Sequence, residues 1–147
     1  MSRNVVLAVV LTLTAQTIVS TAIIAPSVIA PAAAADLGVA PQSVGLIVAL
    51  AYAFAMISGL TVSGLITRFG PLRTCQIAVL FGAAGLALGA PGSIVLLFGA
   101  AALIGYGYGM VTPTSSHILV QSAPREQLAL IFSIKQSGVP LGGAVAG

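Results

Sequence analysis

The sequence predicts an all-α membrane protein of about five transmembrane helices. Hydrophobic residues make up 59% of the 147 residues and charged residues only 5%, whereas soluble domains carry about 25% charged residues. A helix that crosses a bilayer needs about 20 mostly apolar residues, and the chain offers five stretches near that length. They cover residues 5–28, 43–66, 74–90, 94–119 and 128–147. The lipid bilayer is therefore the expected partner of most of the surface.

The basic residues indicate how these spans are oriented. Arg3 precedes the first span, Arg68 and Arg73 lie between the second and third, and Arg125 lies between the fourth and fifth. Because basic loops stay on the cytoplasmic side, we expect a cytoplasmic N-terminus and a multi-pass protein of the plasma membrane, which is the inner membrane in a bacterium. The charges are spread over separate loops and form no patch for nucleic acid, so nucleic acid is not an expected partner.

The first span also has features of a cleavable secretory signal. Arg3, an apolar run and four alanines at residues 32–35 follow one another, as they do in such signals. The run over residues 5–28 is longer than the usual apolar core of about 7–15 residues, and it contains several polar side chains. We therefore interpret it as a transmembrane helix, with cleavage as the alternative.

The polar side chains of the first span share one half of the helix, given a turn of about 100° per residue. They are Thr14, Gln16, Thr17, Ser20 and Thr21. Hydroxyls can bond to carbonyls of their own helix within a helix contact, which would explain the serine and threonines by packing alone. The amide of Gln16 is costly to bury without partners, so Gln16 is a candidate substrate contact.

The connections between the spans are short and rich in turn-forming residues. They comprise Asp36–Gln42, Arg68–Arg73 and Pro91–Ser93. These connections leave no room for an active site outside the membrane.

Small residues four apart recur inside the later spans, where they let membrane helices approach closely. Gly105 and Gly109 form one such pair in the fourth span, and Gly138 and Gly142 form another in the fifth. Glycines weaken a helix by about 1 kcal/mol each, so bending or close backbone contact is predicted at these pairs. Bending is also predicted at the two prolines of these spans, Pro113 and Pro140.

Two segments resemble motifs of the major facilitator superfamily. Residues 63–73, Ser-Gly-Leu-Ile-Thr-Arg-Phe-Gly-Pro-Leu-Arg, are similar to the inner-loop gating motif Gly-x-Leu-Ala-Asp-Arg-x-Gly-Arg-Arg of that family. The matching positions are Leu65, Arg68 and Gly70, with Arg73 at the basic end. Thr67 stands where the family usually has an aspartate, and Ala101 stands where many members have an arginine four residues before a glycine.

The second segment gives the more specific match. Residues 133–143, Ser-Ile-Lys-Gln-Ser-Gly-Val-Pro-Leu-Gly-Gly, resemble the fifth-helix segment Ser-Ile-Lys-Gln-Thr-Gly-Val-Pro-Leu-Gly-Gly of a bacterial branch of the superfamily. Pro26 and Pro113 also lie late in two spans of opposite direction, which fits the inverted three-helix repeats of secondary transporters.

The resemblance implies secondary active transport of a small solute by alternating access between two six-helix bundles. Residues 1–147 would then be an incomplete N-terminal bundle, and the partner would be the missing C-terminal bundle of the same carrier. The alternative function is that of a non-transporting membrane assembly or regulatory protein derived from a truncated carrier. No cofactor is expected.

Lys135 lies within the fifth span, where a charge needs an explanation. One interpretation is snorkelling of the ammonium to the inner headgroups. The other is a cationic contact for an anionic substrate, organic or inorganic, with Gln16, Gln136 and Tyr108 as further substrate-binding candidates. Asp36 and the other acidic residue, Glu126, both fall in loops, so the spans supply no carboxylate to pair with Lys135.

Enzyme and metal chemistry find little support in the sequence. There is no metal-ligand cluster, and Ser115-Ser116-His117 lacks the separate triad geometry that activates a serine. His117 is interpreted as an interfacial hydrogen-bonding residue. Small four-helix multidrug carriers resemble the chain in size, but they depend on a first-helix glutamate, and here the first helix has only Gln16.

Overall fold

Five long apolar helical segments form a bundle in the computed structural model, which describes the backbone of residues 2–37 and 42–147 and the side chains of 2–29 and 43–147. The first four helices are α1 (Arg3–Leu37), α2 (Gln42–Phe69), α3 (Pro71–Gly89) and α4 (Ile94–Ser122). A 3-10 turn at Arg125–Gln127 leads into α5 (Leu128–Gln136) and α6 (Gly138–Ala146). The part of the chain described here contains no strand, and the predicted all-α membrane fold is confirmed.

Each of the five segments is long and apolar enough to cross a bilayer. They run over Arg3–Ile29, Ser43–Phe69, Pro71–Gly89, Ile94–Ser122 and Arg125–Ala146. Large apolar side chains point away from the bundle, for example Leu60 at 79% exposure and Val95 at 74%. An apolar outer surface of this kind is compatible with lipid and not with water.

The helix ends differ in detail from the spans predicted from hydropathy. α1 continues to Leu37, beyond the predicted end at residue 28. The fifth span is interrupted at Ser137, between α5 and α6. Residues 38–41 of the predicted outer turn and the side chain of Asp36 lie outside the described residues.

A single glycine makes the turn between α2 and α3. Gly70 has φ 79° and ψ 160°, a backbone conformation that side chains other than hydrogen disfavour. Pro71 follows in the first turn of α3, where its fixed φ suits a helix start and its missing N–H costs nothing. The predicted inner connection of residues 68–73 is therefore reduced to one residue between two helices.

α4 lies at the centre of the bundle. It packs most extensively against α3 and α2, and it also contacts α1, while α6 packs mainly on α1. Met110 and Val111 of α4 are fully buried and share a core cluster with Val19 of α1 and Ala78 of α3. This arrangement places the polar half of α1 between α4 and the fifth span.

Candidate functional site

Two glycines four residues apart hold the fifth span against α1. A Cβ atom added to Gly138 would lie 2.9 Å from the Cβ of Gln16, and one added to Gly142 would lie 2.5 Å from the Cβ of Ser20. Real Cβ atoms essentially never approach another heavy atom so closely, so neither position has room for a side chain. We call this contact the α1/α6 interface.

Gln16 is fully buried beside this interface. Its Nε2 donates to the Ser20 Oγ at 3.4 Å, and its Oε1 accepts from the Thr112 Oγ1 of α4 at 3.5 Å. Both distances exceed the usual 2.7–3.2 Å, so both bonds are weak. The amide is therefore partnered only loosely and retains capacity for a better partner.

Lys135 is buried in the same part of the bundle, in the last turn of α5 and one turn before Gly138. Its side chain is 1% exposed. The residue as a whole is thus packed among the helices of the bundle.

No described carboxylate lies beside this ammonium. Glu126 is exposed in the 3-10 turn before α5. Asp36 follows Gln16 along α1 by about 30 Å, given a rise of about 1.5 Å per residue, whereas Gly138, next to Lys135, touches Gln16. Burying an ammonium without an opposite charge is costly, and the described residues place no carboxylate beside Lys135.

Buried hydroxyls nearby bond to carbonyls of their own helices. Thr12 donates to the Ala8 carbonyl at 2.8 Å, and Ser115 donates to the Val111 carbonyl at 2.5 Å. Thr21 donates both within α1 and to the Gly142 carbonyl of α6, the latter at 3.2 Å. Most of these hydroxyl protons are thus committed to packing, as the sequence allowed, whereas Gln16 is held only by two long bonds. Among the described residues, the Oε1 atom of Gln127 is the buried side-chain polar atom that has no hydrogen-bond partner.

The other two predicted substrate contacts lie apart from this pair. Tyr108 is half-buried toward α2, where its ring meets that of Tyr52 edge to face with centroids 6.3 Å apart. Gln136 is exposed on the side of α5. The structure therefore brings Gln16 and the segment of Lys135 together and leaves Tyr108 and Gln136 outside the cluster.

The glycines of α4 make a second close helix contact, which we call the α2/α4 interface. A Cβ atom added to Gly105 would overlap the backbone carbonyl of Ala51, and one on Gly109 would overlap that of Ala55. Ser58 of α2 donates to the Tyr106 carbonyl at 2.6 Å. Backbone therefore lies directly on backbone along this interface.

The prolines affect the two long segments differently. α4 continues through Pro113 as one helix, whereas Pro140 lies in α6 just after the interruption at Ser137. Because proline has no N–H, Pro140 cannot bond to the carbonyl of Gln136.

His117, near the end of α4, is exposed.

The residues of the inner-loop gating motif surround the turn at Gly70. Thr67 donates to the Gly64 carbonyl at 2.9 Å, and the guanidinium of Arg68 lies 5.2 Å from the centroid of the Phe69 ring. Leu65 is half-buried against the core, while Arg73 is exposed. The side chain of Thr67 is thus bonded within its own helix.

Sequence reasoning did not single out one residue that the structure adds to the cluster. Thr112 is exposed on α4 and reaches the buried Gln16, so it connects the surface of the bundle to the interior. The position of Thr112 directly before Pro113 was visible in the sequence, but its contact with Gln16 depends on tertiary packing and left no signal.

The cluster is closed to the outside in this structure. A cavity of about 370 Å³ lies where the later parts of α1 and α3 meet the first parts of α2 and α4, and a groove of about 630 Å³ lies between α1 and α3. Neither is lined by Gln16 or Lys135. Because both of these side chains are buried, a ligand can contact them only if helices move. Among the residues described, no three His, Cys, Asp or Glu side chains group as metal ligands.

Comparison with known proteins identifies a family. A family model described as Major Facilitator Superfamily matches residues 6–147. Neither the curated proteins nor the solved structures contain a significant match. The match covers all five apolar segments and both sequence segments on which the resemblance was based.

Proposed function

Because the chain belongs to the major facilitator superfamily, a family of membrane transporters, we propose that it carries a small anion across the membrane by alternating access. In this proposal the chain is the N-terminal bundle of a secondary active carrier and works with a second bundle of the same carrier. The substrate is an organic or inorganic anion that binds between the bundles.

The observation that carries the anion proposal is the buried Lys135. Its side chain is 1% exposed inside a transmembrane segment, and the part of the chain that the structure describes places no carboxylate beside it. A charged side chain at membrane depth commonly marks a substrate or ion pathway. A bound anion would supply the opposite charge that the described residues lack.

The other predicted contacts take secondary roles. Gln16 offers an amide whose present bonds are long, and its exposed partner Thr112 offers a hydroxyl. Tyr108 and Gln136 contact substrate only if helix movements bring them toward the cluster. The helix is distorted at Ser137, where ψ is −13°, and Pro140 leaves the Gln136 carbonyl without its helical partner, so the fifth span can bend there.

The proposed orientation has a cytoplasmic N-terminus in the plasma membrane. Positions 93 and 125 lie at opposite ends of α4 and are exposed, so they can be compared directly. In a Cys75→Ala background, Ser93→Cys should react with an impermeant maleimide from outside, and Arg125→Cys only after permeabilisation. The reverse pattern would contradict the orientation.

Electrometry on the full-length gene product in proteoliposomes tests the transport proposal. Acetate, succinate, citrate and phosphate jumps form the anion panel, and glucose and choline serve as neutral and cationic solutes. At least one anion should evoke a current that Lys135→Gln abolishes. Arg125→Gln removes the same charge from an exposed position and should leave the current intact.

Currents evoked only by the neutral or cationic solute would contradict the anion proposal. Complete absence of solute movement in a well-folded full-length protein would favour a non-transporting membrane assembly or regulatory role. An anion current that survives Lys135→Gln would place the substrate site elsewhere in the carrier.

A further inference from the structure

We infer that the transported anion carries an aromatic ring, which Tyr108 and Tyr52 contact while the polar cluster around Gln16 contacts the charged group. This inference rests on the proposed anion transport and names the class of its substrate, an aromatic monocarboxylate in which a short chain joins the ring to the carboxylate. The ring contacts lie on the open side of α2 and α4, where three exposed side chains surround the half-buried Tyr108. We call this group the tyrosine patch, and its members are Tyr52, Met56, Tyr108 and Thr112.

The α2/α4 interface sets the positions of the side chains in the tyrosine patch. Its glycines meet α2 in the same order along both chains, so the two helices run in the same direction with their turns side by side. The ring of Tyr52 meets that of Tyr108 edge to face, with centroids 6.3 Å apart, and the two rings therefore form one layer. Met56 and Thr112 each lie four residues later, which is about 6 Å further along the helices.

Thr112 connects the tyrosine patch to the polar cluster. Its Oγ1 donates to the Oε1 of Gln16 at 3.5 Å, and Gly138, in the turn after Lys135, lies directly against Gln16. The ring of Tyr108 is one turn away from Thr112 on the same helix. A helix movement that opens the cluster to a carboxylate therefore brings Tyr108 within reach of a ring attached to that carboxylate.

The depth of the two tyrosines distinguishes them from interfacial anchors. Tyrosines that anchor membrane helices lie at the boundary with water. Tyr108 lies at the centre of α4, and Tyr52 lies about 15 Å along α2 from its start, whereas the hydrocarbon core is about 30 Å thick. Lipid tails offer a phenol hydroxyl no hydrogen bond at this depth, yet Tyr52 is 51% exposed. This exposure favours an aromatic partner with a polar end over lipid.

The side chains of the tyrosine patch have the chemistry that an aromatic ring prefers. Rings pack edge to face or offset with centroids about 4.5–7 Å apart, and Tyr52 and Tyr108 already pack in this way, so a third ring can join them on the exposed side of Tyr52. Met56 is 69% exposed, and its soft thioether packs well against ring edges. Ligand sites combine aromatic and apolar walls with a few polar groups that fix orientation. The patch supplies the walls and the cluster supplies the polar groups.

Electrometry on full-length proteoliposomes tests the substrate class. The probes are 3-phenylpropionate, 3-cyclohexylpropionate and propionate, which carry the same charge, and protein-free liposomes control for passive permeation. The half-saturating concentration of 3-phenylpropionate should be about fivefold below that of 3-cyclohexylpropionate and lower still relative to propionate, because the ring adds aromatic and apolar contacts. A value equal to or above that of either comparison anion would overturn the inference and leave anion transport intact. Absence of current from every anion, including acetate and phosphate, would mean that the proposed function has failed.

Substitutions separate a contact with the substrate ring from packing within the protein. Tyr108→Leu should raise the half-saturating concentration of 3-phenylpropionate about fivefold and leave that of propionate unchanged, since only the first anion has a ring. Tyr108→Phe keeps the ring and should retain the preference. Tyr106→Leu is the matched control, because the Tyr106 ring packs against Phe81 of α3 with centroids 5.4 Å apart, and it should also retain the preference.

Tyr52→Leu repeats the test at an exposed position, where substitution has less effect on folding than at the half-buried Tyr108. It should also weaken the preference for 3-phenylpropionate over propionate. A preference that survives both Tyr108→Leu and Tyr52→Leu in folded protein would overturn the inference, because the two tyrosines would then pack only against protein.

Discussion

The α2/α4 and α1/α6 interfaces are packed in the same way, but their glycines meet different neighbouring groups. Each has two glycines four residues apart on one helix, and each has one hydroxyl that bonds to a backbone carbonyl across the interface. At the α2/α4 interface the glycines meet the backbone of Ala51 and Ala55. At the α1/α6 interface Cβ atoms added to Gly138 and Gly142 would lie nearest the Cβ atoms of Gln16 and Ser20, with α1 backbone atoms slightly further away.

This difference leads us to expect that the two interfaces have different roles in stability and in function. Backbone that rests on backbone cannot yield, and so the α2/α4 interface holds two helices as one rigid pair. The α1/α6 interface buries Gln16 and lies one turn from the buried Lys135, and buried polar groups of this kind stabilise a fold little. We therefore expect substitutions at the first interface to act on stability and substitutions at the second to act on transport.

The largest expected effect is at Gly105. Gly105→Ala places a methyl group into the Ala51 carbonyl and should lower the free energy of unfolding by about 3 kcal/mol. Reversible unfolding by SDS in mixed micelles measures this change in free energy. Gly64→Ala is the matched control in α2, where a Cβ atom meets nothing within 4 Å, and it should stabilise the protein by up to about 1 kcal/mol. Equal effects of the two substitutions would show that the close contact does not exist.

A smaller loss of stability is expected at Gly138. The nearest atom to an added Cβ is the side-chain Cβ of Gln16 at 2.9 Å, with the Leu13 carbonyl further away at 3.1 Å. The Cβ of Gln16 is fixed to the α1 backbone, but the contact is looser than the overlap at Gly105, so Gly138→Ala should cost about 2 kcal/mol. Because it displaces Gln16, it should also weaken anion binding, measured by isothermal titration. If Gly138→Ala lowered the free energy of unfolding more than Gly105→Ala, the expected order of the two interfaces would be contradicted.

Ser58 tests the hydrogen bond of the α2/α4 interface. Ser58→Ala removes the 2.6 Å bond to the Tyr106 carbonyl and should cost about 1 kcal/mol of unfolding free energy. The transport rate of the folded protein should stay unchanged. Ser63→Ala, at an exposed position on the same helix, should change the unfolding free energy by less than about 0.5 kcal/mol. Loss of transport without loss of stability in Ser58→Ala would contradict the assignment.

Gln16 should show the smallest effect on stability. Its two bonds are long, and replacing a buried amide by an apolar group of similar shape is often nearly neutral. Gln16→Leu should therefore leave the unfolding free energy within about 0.5 kcal/mol and weaken anion binding about tenfold, which corresponds to about 1.4 kcal/mol. A destabilised protein with normal anion affinity would make Gln16 a packing residue.

The sequence was sufficient for the membrane fold and the family because both depend on patterns that run along the chain. Apolar runs of transmembrane length and residues 63–73 and 133–143 carry that information locally. The interruption at Ser137 was less visible, since Gly138 and Pro140 weaken a helix without fixing where it breaks. The contacts of Gly105 with α2 and of Gly138 with α1 depend on how distant segments pack, and no local pattern encodes that.

The central claim is that Lys135 is retained for transport at some cost to stability, and Lys135→Met tests it most directly. Methionine has a similar length and no charge, so the free energy of unfolding in mixed micelles should rise by about 1 kcal/mol or more, while anion-evoked currents disappear. A fall in stability with anion currents still present would contradict the claim, because Lys135 would then hold the bundle together and take no part in transport.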